Sequence, residues 1–153
     1  MKKQKIDLEV ESYQNMVAGT DNQLKFNESG FLYHKNNYYY LVYQDHSEGI
    51  NGARTMFKID VREKKIFLLR SKPAKMRQVF KNGETLQGFY DTDYGKMKLE
   101  SETKDLSLKI DKLEGFIKIN YNLYINGSLS TKNRLKMVYR KRERDNCDKK
   151  YES

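Results

Sequence analysis

Tryptophan is absent from this chain, and cysteine and proline each occur once in 153 residues. Each scarcity excludes something. A single cysteine, Cys147, cannot form an internal disulfide, which points to a reducing compartment and a cytoplasmic protein. A single proline, Pro73, leaves strand ladders uninterrupted. Two histidines, His34 and His46, have no cysteine or histidine partner at metal-ligand spacing, so no metal site and no cofactor are expected. Cys147 lies far from both histidines, which argues against a Cys–His nucleophile, and no catalytic residues are assigned. No apolar run approaches the ~20 residues of a membrane-spanning helix. The opening MKKQKIDLEVES has lysines but no apolar stretch after them, unlike a secretory signal. The only glycine-bearing loop candidate, EGING (48–52), lacks the lysine–serine pair of a phosphate loop and reads as a hairpin connection.

What the chain does contain is charge and tyrosine. Charged residues make up 33%, aromatic residues 12%, and the net charge is +9. The excess is uneven. Residues 132–150 hold nine basic residues against Glu143, Asp145 and Asp148, and residues 70–81 hold five basic residues and no acid. Such clusters attract polyanions, or simply solubilise a surface. The stretch NNYYYLVYQD (36–45) carries four of the twelve tyrosines, Tyr38, Tyr39, Tyr40 and Tyr43.

Hydrophobic residues recur with a period of two. Ile6, Leu8 and Val10 alternate with Asp7, Glu9 and Glu11, and the pattern returns at Phe57/Ile59, Ile66/Leu68, Met97/Leu99, Leu106/Leu108/Ile110, Ile117/Ile119/Tyr121/Leu123/Ile125 and Leu135/Met137/Tyr139. This is the signature of half-buried strands. Turn signals fall between the runs, among them Ser29-Gly30, Asn36-Asn37, Asn82-Gly83, Tyr94-Gly95, Glu114-Gly115 and Asn126-Gly127. The expected fold is all-β, an antiparallel meander forming a sandwich or a closed barrel. One segment, PAKMRQVFKNG (73–83), fits a short helix or a strand with Met76, Gln78 and Phe80 on one face. The surrounding meander favours the strand, with a helical turn at the proline. No repeat or linker divides the chain, which is expected to form one domain over 1–140 followed by a basic, flexible tail over 141–153.

The ordered pieces GFLYHKNNYYYLVYQD, ARTMFKI, FLLRSKPAKMRQVFKNGE, FYDTDYGKMKLESET and GFIKINYNLYING resemble the YwiB-like family of uncharacterised bacterial proteins up to about Tyr139. The resemblance rests on the spaced Arg70-Ser71…Lys75-Met76…Phe80 run and on Tyr90-x-Thr92-x-Tyr94-Gly95. The chain departs from the family pattern at Lys72-Pro73 and in its basic extension. The resemblance implies a calycin or lipocalin-like barrel, of about eight to ten strands, and carries no activity with it.

Inside such a barrel a polar set falls on inward faces. If Leu41 points in, so do Tyr39, Tyr43 and Asp45, while Tyr38 and Tyr40 cover the outside; a one-residue slip reverses this. If Ile66 and Leu68 point in, Arg70 follows. Tyr90, Thr92 and Tyr94 form a further polar-tipped face, and Thr103 and Tyr121 lie on later strands. Two readings of Arg70 stand. It binds the acidic head of a ligand through its planar fork of donors, or it forms a closed structural pair with Asp45. The candidate ligand-binding residues are Tyr43, Asp45, Arg70, Met76, Phe80, Tyr90, Thr92, Thr103 and Tyr121. The leading expectation is a non-enzymatic barrel binding a small amphipathic or anionic ligand inside or at its mouth, with no membrane partner. The alternative is a nucleic-acid or ribonucleoprotein-associated protein using its basic surface and tail.

Overall fold

A computed structural model of the chain describes residues 3–17, 19–45, 53–71 and 74–142, without the side chains of Asp45 and Ala53. The expected helical turn at Pro73, the hairpin loop 48–52, His46, and the part of the basic tail from 143 onward with Cys147 lie outside the described residues.

The alternating pattern becomes ten antiparallel strands. They are β1 (Gln4–Met16), β2 (Asn22–Lys35), β3 (Tyr38–Asp45), β4 (Ala53–Asp60), β5 (Lys65–Arg70), β6 (Lys75–Lys81), β7 (Thr85–Thr92), β8 (Gly95–Ile110), β9 (Glu114–Ile125) and β10 (Ser128–Lys141). Each pairs with its sequence neighbours. β1 also pairs with β10, from Ile6↔Lys141 to Met16↔Thr131, which closes the sheet into a barrel and settles the choice against a sandwich. Closure leaves no sheet edge exposed for another chain to pair with.

Period two then sorts the side chains. Ile6, Leu8, Leu41, Phe57, Ile59, Ile66, Phe80, Ile117, Ile119, Met137 and Tyr139 point inward and are almost fully buried. The ambiguous segment 73–83 contributes β6, and Met76, Gln78 and Phe80 share its inner face. The tyrosine stretch takes the register in which Leu41 and Tyr43 are buried and Tyr39 packs against the core.

Two expected turns are not turns. Ser29-Gly30 lies within β2, and Glu114-Gly115 opens β9. The glycines are there for space. A Cβ on Gly30 would sit 2.5 Å from the Val42 carbonyl oxygen, and one on Gly115 would sit 2.5 Å from the Tyr139 ring. Asn126 and Gly127, by contrast, both take positive φ, as a tight hairpin requires. The parity change between Leu99 and Leu106 is a bulge between Thr103 and Asp105 within one long strand, not a break. The boundary expected at 140 falls inside β10. Beyond it the Arg142 backbone N–H donates to the Lys5 carbonyl, and its side chain bonds Asp7 and Ser29.

Candidate functional site

An up-and-down barrel has two different ends. Here the apolar layers of Ile6, Leu32, Ile59, Ile66, Phe80, Ile110, Ile117 and Tyr139 fill the end where β1 begins and β10 ends. Tyr139 seals it by donating a hydrogen bond from its hydroxyl to the Asp111 carbonyl, 2.6 Å away. Towards the other end the inward series turn polar. Val10 is followed on its face by Ser12 and Gln14, and Leu68 by Arg70; on β8, which runs the opposite way, Leu106 is preceded by Thr103 and Ser101. At that end the interior holds a cavity of about 340 Å³.

The cavity floor is buried, formed by Val10, Tyr43, Phe57, Leu68, Met76, Gln78, Leu99 and Tyr121. Its rim is partly exposed and comprises Ser12, Gln14, Leu24, Phe26, Arg70, Tyr90, Leu123, Ile125 and Leu135. Arg70 is the one charged side chain among the described residues that line it. It ends β5, half-buried, and its Nε donates to Oγ1 of the fully buried Thr55 at 3.2 Å. Its charge reaches the Tyr121 phenol and favours ionisation there. Burial acts more strongly in the opposite direction, so the Tyr121 pKa is pushed up to about 12. Tyr43 packs between Phe26, tilted against it, and Phe57, nearly parallel to it, with ring centroids 6.3 and 6.5 Å apart.

Neutral polar groups form a belt around the cavity. Ser101 donates its hydroxyl to Gln78 Oε1 at 3.2 Å. Asn133 Nδ2 donates to Thr131 Oγ1 at 2.8 Å. Thr103, Tyr121 and Asn133 occupy one row across β8, β9 and β10. In that row Thr103 Oγ1 and Asn133 Oδ1 are buried with no hydrogen-bond partner. Buried polar atoms rarely stay unpaired, so this row is where an ordered water or a ligand hydroxyl would be best received.

Of the nine expected site residues, Tyr43, Arg70, Met76, Tyr90 and Tyr121 meet at this cavity. Phe80 lies beneath it with no exposed surface, its ring 4.6 Å from that of Tyr121. Thr103 is buried beside Tyr121 without lining the cavity. Thr92 is spent on the β7–β8 turn, donating to the Gly95 carbonyl and accepting from the Tyr94 N–H. Asp45 pairs through its backbone with Ala53 at the end of β3; its side chain lies outside the description. Sequence reasoning missed Ser12, Gln14, Phe26 and Gln78. The signal was present: each continues an apolar strand period with a polar or bulky group.

Other places are less suited to a ligand. A groove of about 570 Å³ outside the barrel is lined by Asp7, Glu9 and Glu28 as well as Arg140 and Arg142. Its charges oppose one another, and Arg142 already bridges Asp7 at 3.0 Å. His34 lies stacked on Tyr39, with ring centroids 4.2 Å apart. Among the described residues, no group of three or more histidines, cysteines or carboxylates is placed to hold a metal ion.

Comparison with known proteins agrees with this architecture. The uncharacterized β-barrel protein YwiB of Bacillus subtilis (strain 168) is 28% identical over 107 residues, which is 70% of this chain and 73% of that protein. The crystal structure of the Bacillus subtilis ywiB protein superposes with a TM-score of 0.78 at 25% identity, covering 92% of this chain and 93% of the other. The model of a family described as a domain of unknown function, DUF1934, matches residues 8–137, nearly the whole barrel, and the chain belongs to that family.

Proposed function

We propose that the barrel is a binding protein for a small amphipathic molecule, whose anionic head lies at Arg70 and whose apolar body enters the cavity. The observation that carries this reading is the cavity itself. A volume of about 340 Å³ at a barrel mouth, with a mostly apolar lining and one guanidinium at its rim, has the size and polarity of small-molecule sites. Arginine presents a planar fork suited to a carboxylate or phosphate. The phenols of Tyr90 and Tyr121 and the amides of Gln14 and Gln78 add neutral donors and acceptors, which suits recognition rather than acid–base chemistry. The outer wall supports work in water rather than in lipid. Asp7, Glu9, Glu11, Lys58, Lys98 and Lys136 lie on strand faces opposite the core, the reverse of a barrel facing lipid.

Native mass spectrometry of the protein as purified, before and after denaturation, tests the proposal, together with a thermal-shift screen of alkyl and aromatic carboxylates and phosphates. A fixed added mass lost on denaturation is expected, as is stabilisation by anionic amphiphiles that Arg70→Met abolishes. If Arg70 instead only balances Asp45, Arg70→Met should destabilise by about 3–5 kcal/mol, and adding Asp45→Leu should recover most of it. That result, with no ligand-induced shift in the wild type, refutes the binding role.

A further inference from the structure

The residues that the cavity does not use lie on the outside of β3–β7, and they are of two kinds. One kind is aromatic. Tyr38 and Tyr40 face outward from β3, and the Tyr40 ring stacks on Tyr33 at 4.9 Å. Phe67 of β5 and Phe89 of β7 continue the series at alternate strands, each half-exposed. The other kind is cationic. Arg54, Lys58, Lys65, Lys75, Arg77 and Lys81 occupy the same wall, against Asp60 and Asp91. Lys81 bridges Glu63 and Glu84. The other five form no ion pair among the described residues.

Three of these five, Lys58, Lys65 and Arg77, lie instead over rings. Lys58 Nζ is 4.3 Å from the Tyr38 centroid, and Lys58, Lys65 and Arg77 surround Phe67 at 5.6, 5.3 and 5.5 Å. Beside them a shallow groove of about 370 Å³ has Met56, Leu69 and Phe89 as its floor and Arg54, Arg70, Lys75 and Arg77 around it, with no carboxylate among the described residues of its lining. The wall formed by β1 and β10 is built otherwise: there Arg140 pairs in register with Asp7, and Lys136 with Glu11.

We propose that the outer wall of β3–β7 binds single-stranded nucleic acid, bases on the rings and phosphates on Arg54, Lys58, Lys75 and Arg77. The chemistry selects this partner. Partly exposed rings interleaved with cations on a sheet are what unstacked bases and their backbone require. A duplex hides its base faces and offers such a wall only phosphates. An acidic peptide would use the cations and leave the rings idle. The groove shares Arg70 and Met76 with the cavity, but Arg54, Phe67 and Arg77 do not line the cavity, so variants there test this surface apart from it.

Fluorescence anisotropy with labelled oligo(U) and oligo(dT) of about 12 nucleotides, titrated in salt, tests the proposal on the full chain. The wild type should bind both single strands more tightly than the matching duplex, with affinity falling steeply as salt rises. Arg54→Glu/Arg77→Glu should weaken binding about tenfold or more and reduce the salt slope. Lys118→Glu/Lys132→Glu, on exposed positions of β9 and β10 with the same change in net charge, should weaken it about twofold at most. Phe67→Leu, which keeps an apolar strand residue but removes the ring, should cost about threefold or more with the salt slope unchanged. Circular dichroism confirms that each variant is folded. Equal losses in the two charge-reversed proteins, a preference for duplex, competition by polyglutamate as effective as by oligonucleotide, or full binding by Phe67→Leu would each overturn the assignment.

Discussion

The β6–β7 seam is the thinnest joint in the barrel. It holds three paired positions, Lys75↔Asp91, Met76↔Tyr90 and Arg77↔Phe89, where β7–β8 holds eight. The position after Phe89 towards the hairpin turn is Gly88. A Cβ built there would lie 1.9 Å from the Arg77 carbonyl oxygen, 2.9 Å from its carbon and 3.2 Å from Gln78 Cα. All three are backbone atoms, so no side chain can swing aside. A carbon–oxygen contact needs about 3.3 Å, so Gly88→Ala must drive the strands more than an ångström apart. Overpacking of this kind costs about 1–3 kcal/mol. Losing one or two bonds of so short a ladder adds about 1 kcal/mol each. The expected destabilisation is therefore about 2–5 kcal/mol, a fall of roughly 1–2.5 M in the urea midpoint at a slope of about 2 kcal/mol/M. Gly83→Ala is the control. Gly83 has φ of +78° and nothing within 4 Å of a Cβ, so only backbone strain applies, about 1 kcal/mol. If Gly88→Ala unfolds within about 0.5 kcal/mol of the wild type, or costs no more than Gly83→Ala, the seam does not limit stability and the steric argument fails.

Alkali should act through Tyr121. Its folded pKa of about 12 lies above the ordinary phenol value of about 10, so the stabilisation is complete below about pH 10 and is lost as pH rises through about 12. Unfolding midpoints measured across that window should fall more steeply for the wild type than for Tyr121→Phe; equal slopes would remove Tyr121 as the cause. At the closed end, Tyr139→Phe deletes the hydrogen bond to the Asp111 carbonyl while keeping the ring packed over Gly115, and should cost about 1 kcal/mol in urea unfolding. A variant as stable as the wild type would show that this bond does not hold the β8–β9 turn against the barrel.

Much of this was written in the order of residues. Period-two alternation and Asn-Gly turns depend only on neighbours along the chain, so the all-β antiparallel meander was legible before any coordinates. So was the inward face of Ile66, Leu68 and Arg70, because a strand's side chains alternate whatever lies opposite. Closure was not legible in the periodicity, which left sandwich and barrel open; only the family resemblance implied it. Whether β1 meets β10 or a second sheet depends on twist and stagger accumulated over ten strands, which no local pattern records. The register of the tyrosine strand was undecided for the same reason: Tyr38–Tyr43 alternates equally well in both phases, and only pairing of Leu41 with Leu32 and Phe57 chose one. Gly30 and Gly115 misled because a glycine placed for space looks, in sequence, like one placed for a turn. Thr92 misled because strand parity cannot see that its hydroxyl is claimed by a turn two residues away. Which inward polar groups meet at one cavity, and which are buried below it, was decided by tertiary structure alone, since Arg70, Gln78 and Tyr121 come together across strands that are remote in sequence.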